Sequence, residues 1–193
     1  MITEFFSFPI LEEIIDINRE DLINFSYDLK KNTNGIVKSN VFSFQSNKID
    51  LELLILQPFI KNVLHQCNIM HNYLGLKKNL KPKIQDIWFN IHPKGGANIP
   101  HSHPGSYFSG TYYINCNKNS GKLIFMHPAS NYEYHNNQHT IENFSTKNAV
   151  RAIVVPQNQK LIIFPSWGVH YVTPNESEED RISIACNVNL IKI

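Results

Sequence analysis

From residue 84 onward the chain reads as a series of short segments rich in β-branched and aromatic residues, and nothing else in it constrains the fold as strongly. Ile84 to His92, Tyr107 to Cys116, Lys122 to Met126, Val150 to Val155, Leu161 to Phe164 and Arg181 to Ile193 all have strand character. Turn-forming clusters separate them, notably Pro93-Lys94-Gly95-Gly96, Asn117-Lys118-Asn119-Ser120-Gly121 and Pro156-Gln157-Asn158-Gln159. The first third follows a different grammar. Glu4 to Ile10 reads as a short strand stopped by Pro9. Arg19 to Lys31 places Leu22, Ile23, Phe25 and Leu29 at helical spacing, with Asn18 as N-cap and Asn34-Gly35 as stop. Val37 to Phe44 alternates weakly, as a strand would. A second helix is expected from Asp50 to about Leu74, with Gly75 ending it and Pro58 kinking or splitting it.

Helices first and many short strands afterwards predict an α+β protein, a β-sandwich or barrel backed by helices. A chain of 193 residues with no repeat, linker or low-complexity stretch is read as one domain: a helical part over 1–80 and a β core over 81–193. At 42% hydrophobic and 11% aromatic it can bury a substantial core.

Charge and cysteine usage narrow the function classes. A net charge of +2 does not favour duplex nucleic acid or an anionic membrane as partner. No stretch approaches the roughly 18 apolar residues of a membrane span, and Met1-Ile2-Thr3-Glu4 lacks the basic start of a signal peptide. Cys67, Cys116 and Cys186 are odd in number and lack CxxC spacing. Neither a disulfide framework nor a cysteine zinc site is expected, and a reducing cytoplasm is. Nine histidines against eight glycines are unusual, and histidine is the commonest metal ligand.

Three local signals carry chemistry. In His101-Ser102-His103, flanked by Pro100 and Pro104, an extended backbone turns residues i and i+2 to one side, so both imidazoles can reach one ion. An exposed loop pair would look the same. His170, after the apolar strand and the Pro165-Ser166-Trp167-Gly168 turn, heads a further strand and could supply a third ligand. Three protein ligands would leave positions open on a mononuclear iron. In Arg181-Ile182-Ser183-Ile184-Ala185, Arg181 and Ser183 share a strand face. They suit a carboxylate, although an ion pair with Glu178 or Glu179 would serve a merely structural arginine.

Taken together and in this order, these motifs resemble the 2-oxoglutarate and Fe(II)-dependent oxygenases. The likeness spans about residues 84 to 190. It includes Trp88-Phe89-Asn90, Gly95-Gly96-Ala97-Asn98, His101 to Ser106, Ser109-Gly110-Thr111-Tyr112-Tyr113, Phe164-Pro165-Ser166-Trp167, His170 and Arg181 to Ala185. The resemblance implies a double-stranded β-helix, a jelly roll of the cupin kind. It also implies Fe(II), 2-oxoglutarate as cosubstrate and O2, with oxidative decarboxylation to succinate and hydroxylation of a substrate. His101 matches the first iron ligand and His170 the distal one. His103 stands where most members carry a carboxylate. Either three imidazoles hold the iron or an acid from elsewhere completes the set, and no acid stands out in the sequence. Arg181 matches the arginine that binds the distal carboxylate of 2-oxoglutarate, and Ser183 its hydroxyl partner. Tyr113 matches a tyrosine that contacts the same carboxylate in prolyl-hydroxylase-like members, and Asn90 a cosubstrate contact on the preceding strand. A small molecule or a protein side chain is the implied substrate class, and sheet edges and helices offer surfaces for a homodimer. Two other readings stand beside this one. A three-histidine cupin of the thiol dioxygenase type would not use 2-oxoglutarate, and a non-catalytic β-helix binding domain would leave the histidine pair without a purpose.

The remaining candidates are given plainer roles. Trp88 and Trp167 are read as core or pocket wall. Pro93 to Pro100 is read as a mobile flap or an ordinary turn. His127, His135 and His139 are assigned to surface loops, and His65 and His71 to the second helix. His92 receives no role. Cys116 and Cys186 are read as small buried hydrophobes.

Overall fold

A computed structural model describes residues 2, 7–129 and 141–193. Two helices and eleven strands occur among them. The strands are β1 (Leu11–Ile14), β2 (Asn40–Val41), β3 (Phe44–Gln45), β4 (Leu80–His92), β5 (Ala97–His101), β6 (Phe108–Asn115), β7 (Leu123–Met126), β8 (Arg151–Val154), β9 (Lys160–Pro165), β10 (His170–Val172) and β11 (Arg181–Lys192). They form two antiparallel sheets, β1-β9-β6-β11-β4-β3 and β2-β5-β10-β7-β8. This is the expected α+β arrangement with a jelly-roll core.

The helices α1 (Arg19–Asn32) and α2 (Gln57–Tyr73) pack on the six-stranded sheet. Helices of 14 and 17 residues are marginal alone in water. Tertiary burial holds them: Leu22, Phe59, Val63 and Cys67 join Phe89, Tyr112, Ile163 and Ile184 in one core, all at 0% exposure. Each fully buried side chain of this size contributes about 1.5–3 kcal/mol, which outweighs any loss of local helix propensity. No described helix is long and apolar enough to cross a membrane.

Period-two alternation gives the six-stranded sheet two different faces. On β11, Ile182, Ile184, Cys186 and Val188 face the helices. Arg181, Ser183, Ala185 and Asn187 face the space between the sheets. On β4, Ile87, Phe89 and Ile91 face the helices, while Trp88, Asn90 and His92 face that same space.

Several local expectations are corrected. Glu4, Phe5 and Phe6 of the expected first strand lie outside the described residues. Ser7 to Ile10 form no strand, and pairing begins at Leu11, opposite Ile163 of β9. Pro58 does not kink the second helix. A 3-10 turn over Leu54–Leu56 leads into α2 at Gln57, and the proline sits in the first helical turn, where a missing N–H costs nothing. Asn18 precedes α1, but its amide donates to the Asp21 carboxylate and does not cap the backbone. The weak strand at Val37 to Phe44 is really a strap. Asn40 and Val41 pair with β5, and Phe44 and Gln45 pair with β4, so this segment joins the two sheets.

Candidate active site

His101 closes β5 and His170 opens β10, and the two are register partners across those strands. His103 lies two residues beyond the strand. Its backbone N–H donates to Ser166 O at 3.0 Å, which ties the loop to the β9–β10 turn. The three rings converge, with centroid separations of 4.4 Å (His101–His170), 5.2 Å (His101–His103) and 5.2 Å (His103–His170). One nitrogen from each lies within 4.8 Å of the others.

The second nitrogen of each ring is already engaged. His101 Nδ1 bonds to Ile99 O at 2.8 Å, His170 Nδ1 to Gly168 O at 2.9 Å and His103 Nδ1 to Asn187 Oδ1 at 2.6 Å. A carbonyl can only accept, so each Nδ1 carries the proton and each Nε2 keeps its lone pair. This is the tautomer a metal-binding imidazole needs. His103 Nε2 is buried without a hydrogen-bond partner. No carboxylate joins this cluster among the described residues. The donor set therefore fits Fe(II) as three neutral imidazoles with open positions.

Burial keeps the rings neutral. It pushes the His170 pKa down to about 3, with nearby His101 adding to the effect, and the His103 pKa to about 4 against the opposing effect of its hydrogen bond to Asn187. It also lowers the pKa of His101. An unfolded histidine titrates near 6.5, so unfolding takes up protons below that pH, and native stability falls as pH falls. The metal-free protein should therefore lose thermal stability between pH 6.5 and 5, above the range of ordinary carboxylates. A flat melting midpoint across that window would contradict neutral buried rings.

The floor of the same cavity comes from cross-strand rows on the six-stranded sheet. Arg181 pairs with His92, and Ser183 lies between Asn90 on β4 and Tyr113 on β6. Trp88 and Thr111 flank Ala185 in the next row. Arg181 is only 1% exposed. Its NH1 donates to Ser120 O and, at 3.4 Å, to Thr173 O, while NH2 is buried with no partner. Gly121 makes this seat possible. Its φ is +79°, and a Cβ there would collide with Thr173 O and the guanidinium. The structural alternative for Arg181 is not realised, since Glu178 pairs with Lys94 and Glu179 accepts from Asn117. Asn90, Tyr113 and Ser183 have no side-chain hydrogen bond among the described residues. Burial raises the Tyr113 pKa to about 12 despite nearby Arg181, so the phenol stays a neutral donor. A cavity of about 560 Å3 contains both the histidine triad and this floor.

Sequence reasoning missed four contributors. Asn187 orients His103 and also accepts from Ser109 Oγ at 3.1 Å. It continues the Arg181-Ser183-Ala185 alternation, which was the available signal. His92, Asn98 and Ser39 form a chain that ends at His101, and its register is invisible locally. Trp88 is pocket wall as expected, stacked at 27° on His103 with centroids 5.8 Å apart. Trp167 is not: it is 56% exposed on the β9–β10 turn and meets Phe8 edge-on. Pro93 to Pro100 is not a free flap, because Ala97 to Pro100 belong to β5 and the Gly95 N–H donates to Asn175 O. His127 lies outside the cavity lining, as does His65 on α2, while His71 is buried in that helix. His135 and His139 lie outside the described residues. Cys116 and Cys186 are buried as expected.

Solved structures that share this fold include three prolyl hydroxylases. A prolyl-4-hydroxylase from Pseudomonas putida has 14% identity and a TM-score of 0.63, over 93% of this chain and 91% of its own. A viral collagen prolyl hydroxylase from Paramecium bursaria Chlorella virus-1, solved with 2OG, has 14% identity and a TM-score of 0.61, over 93% and 94%. A prolyl hydroxylase from Trichoplax adhaerens, solved with a hypoxia inducible factor peptide, has 17% identity and a TM-score of 0.60, over 94% and 83%. No curated protein matches the chain. The sequence model of the family described as "Putative 2OG-Fe(II) oxygenase" matches residues 86–187, a stretch that includes the triad, Arg181, Ser183, Tyr113 and Asn90. Matched over more than half of its length, the chain belongs to this family of 2OG-Fe(II) oxygenases, enzymes that use iron(II), 2-oxoglutarate and dioxygen.

Proposed function

We propose that His101, His103 and His170 hold Fe(II), that Arg181, Ser183, Tyr113 and Asn90 hold 2-oxoglutarate, and that the reaction is hydroxylation of a small molecule or protein side chain. One observation carries this reading: a buried guanidinium with an unpartnered NH2 lies on the floor of the cavity that contains three converging imidazoles. A buried cation left unpaired is costly, and a dicarboxylate repays that cost. A thiol dioxygenase-like site would leave Arg181 without an occupant, and a non-catalytic domain would leave His103 Nε2 without one.

Dioxygen at the bound iron would supply the oxidising power, and 2-oxoglutarate would give up two electrons and leave as carbon dioxide and succinate. The chain supplies geometry and charge. Arg181 neutralises the far carboxylate, Tyr113 and Ser183 can donate to it, and Asn90 fixes its approach from β4. Asn187 keeps His103 in the ligating tautomer. With three neutral ligands the site retains one more positive charge than a set containing a carboxylate, which favours a dianionic cosubstrate. Substrate would enter past Lys38, Gln85, Ser106 and the Lys48–Asp86 pair at 2.5 Å, so the mouth is polar. Three free, buried cysteines suit a reducing compartment, which we take to be the cytoplasm. Exposed Ile153 and Val155, in and beside edge strand β8, offer a seat for a second copy.

Anaerobic addition of Fe(II) and 2-oxoglutarate should produce a weak visible charge-transfer band. Admission of air should then release succinate slowly even without substrate. Absence of both the band and succinate would end this reading.

A further inference from the structure

Among the described residues, four buried side-chain nitrogens lack a hydrogen-bond partner, and two of them belong to residues paired across neighbouring strands: Arg181 NH2 and His92 Nδ1. These residues are register partners on β11 and β4, and both line the cavity. His92 is 2% exposed, and its backbone carbonyl is fixed by Asn175 Nδ2 at 2.9 Å. Its other ring nitrogen, Nε2, contacts Asn98 Oδ1 at 2.6 Å, so the ring cannot turn away. We infer that His92 is a further cosubstrate-binding residue, its Nδ1–H donating to the distal carboxylate of 2-oxoglutarate beside Arg181. The inference rests on the cosubstrate site proposed above.

The proton can reach Nδ1 without a change in net charge. In the free protein, Nε2–H donates to Asn98 Oδ1, Asn98 Nδ2 donates to Ser39 Oγ at 3.0 Å, and Ser39 Oγ faces His101 Nε2 at 3.4 Å. Once a metal occupies His101 Nε2, the Ser39 hydroxyl has no acceptor there and can donate to Asn98 Oδ1. A half-turn of the Asn98 amide then presents Nδ2 to His92 Nε2, and the imidazole proton moves to Nδ1. Burial and neighbouring Arg181 push the His92 pKa down to about 3, so the free ring is neutral, as this polarity change requires. Asn98 and Ser39 are positioning residues in this arrangement.

The test compares two ligands on the Mn(II)-loaded chain by titration calorimetry: 2-oxoglutarate, and 2-oxopentanoate, which lacks the distal carboxylate. His92→Gln keeps a polar atom near the Nε2 position, and His92→Asn keeps one near Nδ1. His92→Gln should weaken 2-oxoglutarate roughly tenfold to a hundredfold, as expected for a lost charge-assisted hydrogen bond, and leave 2-oxopentanoate within about twofold. His92→Asn should restore most of the difference. Equal weakening of both ligands, or unchanged 2-oxoglutarate affinity in both variants, overturns the role of His92. If an Arg181→Leu chain also keeps full 2-oxoglutarate affinity, the cosubstrate site itself is wrong. The Zn(II)-loaded wild-type chain gives an answer that does not depend on a variant folding. Between the metal-free chain and the chain loaded with Zn(II) and 2-oxoglutarate, the His92 Nδ1 nitrogen resonance should move from the unprotonated to the protonated range, and an unprotonated Nδ1 in the loaded chain overturns the inference.

Discussion

Replacing His170 with alanine should leave a folded chain that no longer retains iron. His170 is one of the three proposed donors, and no carboxylate lies within reach of the cluster among the described residues to substitute for it. Four-ligand structural zinc sites gain about 10–16 kcal/mol, or about 2.5–4 kcal/mol per ligand, so one missing ligand should weaken binding roughly a hundredfold to a thousandfold. The backbone should survive. The ring packs against Phe164 and Phe125 at centroid distances of 4.8 and 5.6 Å, and losing part of that contact costs about 1–2 kcal/mol, or a few degrees of melting temperature. Asn187→Leu provides a graded comparison. It leaves all three rings in place but removes the acceptor that orients His103, and such supporting groups are typically worth 10–100-fold in metal affinity. Iron content by stoichiometry, read beside succinate release, separates the two effects. Full metal occupancy in the His170→Ala chain would remove this residue from the ligand set.

The same residues show what the sequence made legible. The i and i+2 rule brought His101 and His103 together although His103 stands just outside the strand, because Pro100 and Pro104 keep the link extended. The same rule on β11 put Arg181 and Ser183 on one face. Carried two steps further, past Ala185, it reaches Asn187. His92 is a different case. Its importance comes from lying opposite Arg181, 89 positions away, and pairing between β4 and β11 leaves no local trace. The strap over Asn40 to Gln45 was read as one weak strand for a related reason. Two dipeptides that pair with different sheets share the period of a single short strand. The second helix was expected to start at Asp50 and starts at Gln57, and that difference changes a kink at Pro58 into an ordinary first turn.

Arg181→Leu should separate cosubstrate binding from both metal binding and stability. Two charge-assisted hydrogen bonds from a guanidinium to a carboxylate contribute about 3–5 kcal/mol together, so 2-oxoglutarate affinity should fall at least about a hundredfold. Fe(II) affinity without cosubstrate should stay nearly constant, because Arg181 lies on the six-stranded sheet while His101 and His170 lie on the five-stranded one. Stability provides the sharper discrimination. A structural arginine would be missed by its partners, and its loss would lower the melting temperature by several degrees. Here NH1 donates only to the carbonyls of Ser120 and Thr173, NH2 has no partner, no acid is paired with the group among the described residues, and burial depresses the pKa of its guanidinium, so the free protein carries a buried cation without a counter-charge. Replacing such a group by an apolar side chain of similar width is often neutral or stabilising. The melting temperature of the ligand-free leucine variant should therefore equal or exceed that of the wild type, while saturation with 2-oxoglutarate should raise it only in the wild type. Arg181→Lys should fall between the two, because an ammonium keeps the charge but not the planar fork. A leucine variant that melts well below the wild type and still binds 2-oxoglutarate would show that the arginine serves the fold and not the cosubstrate.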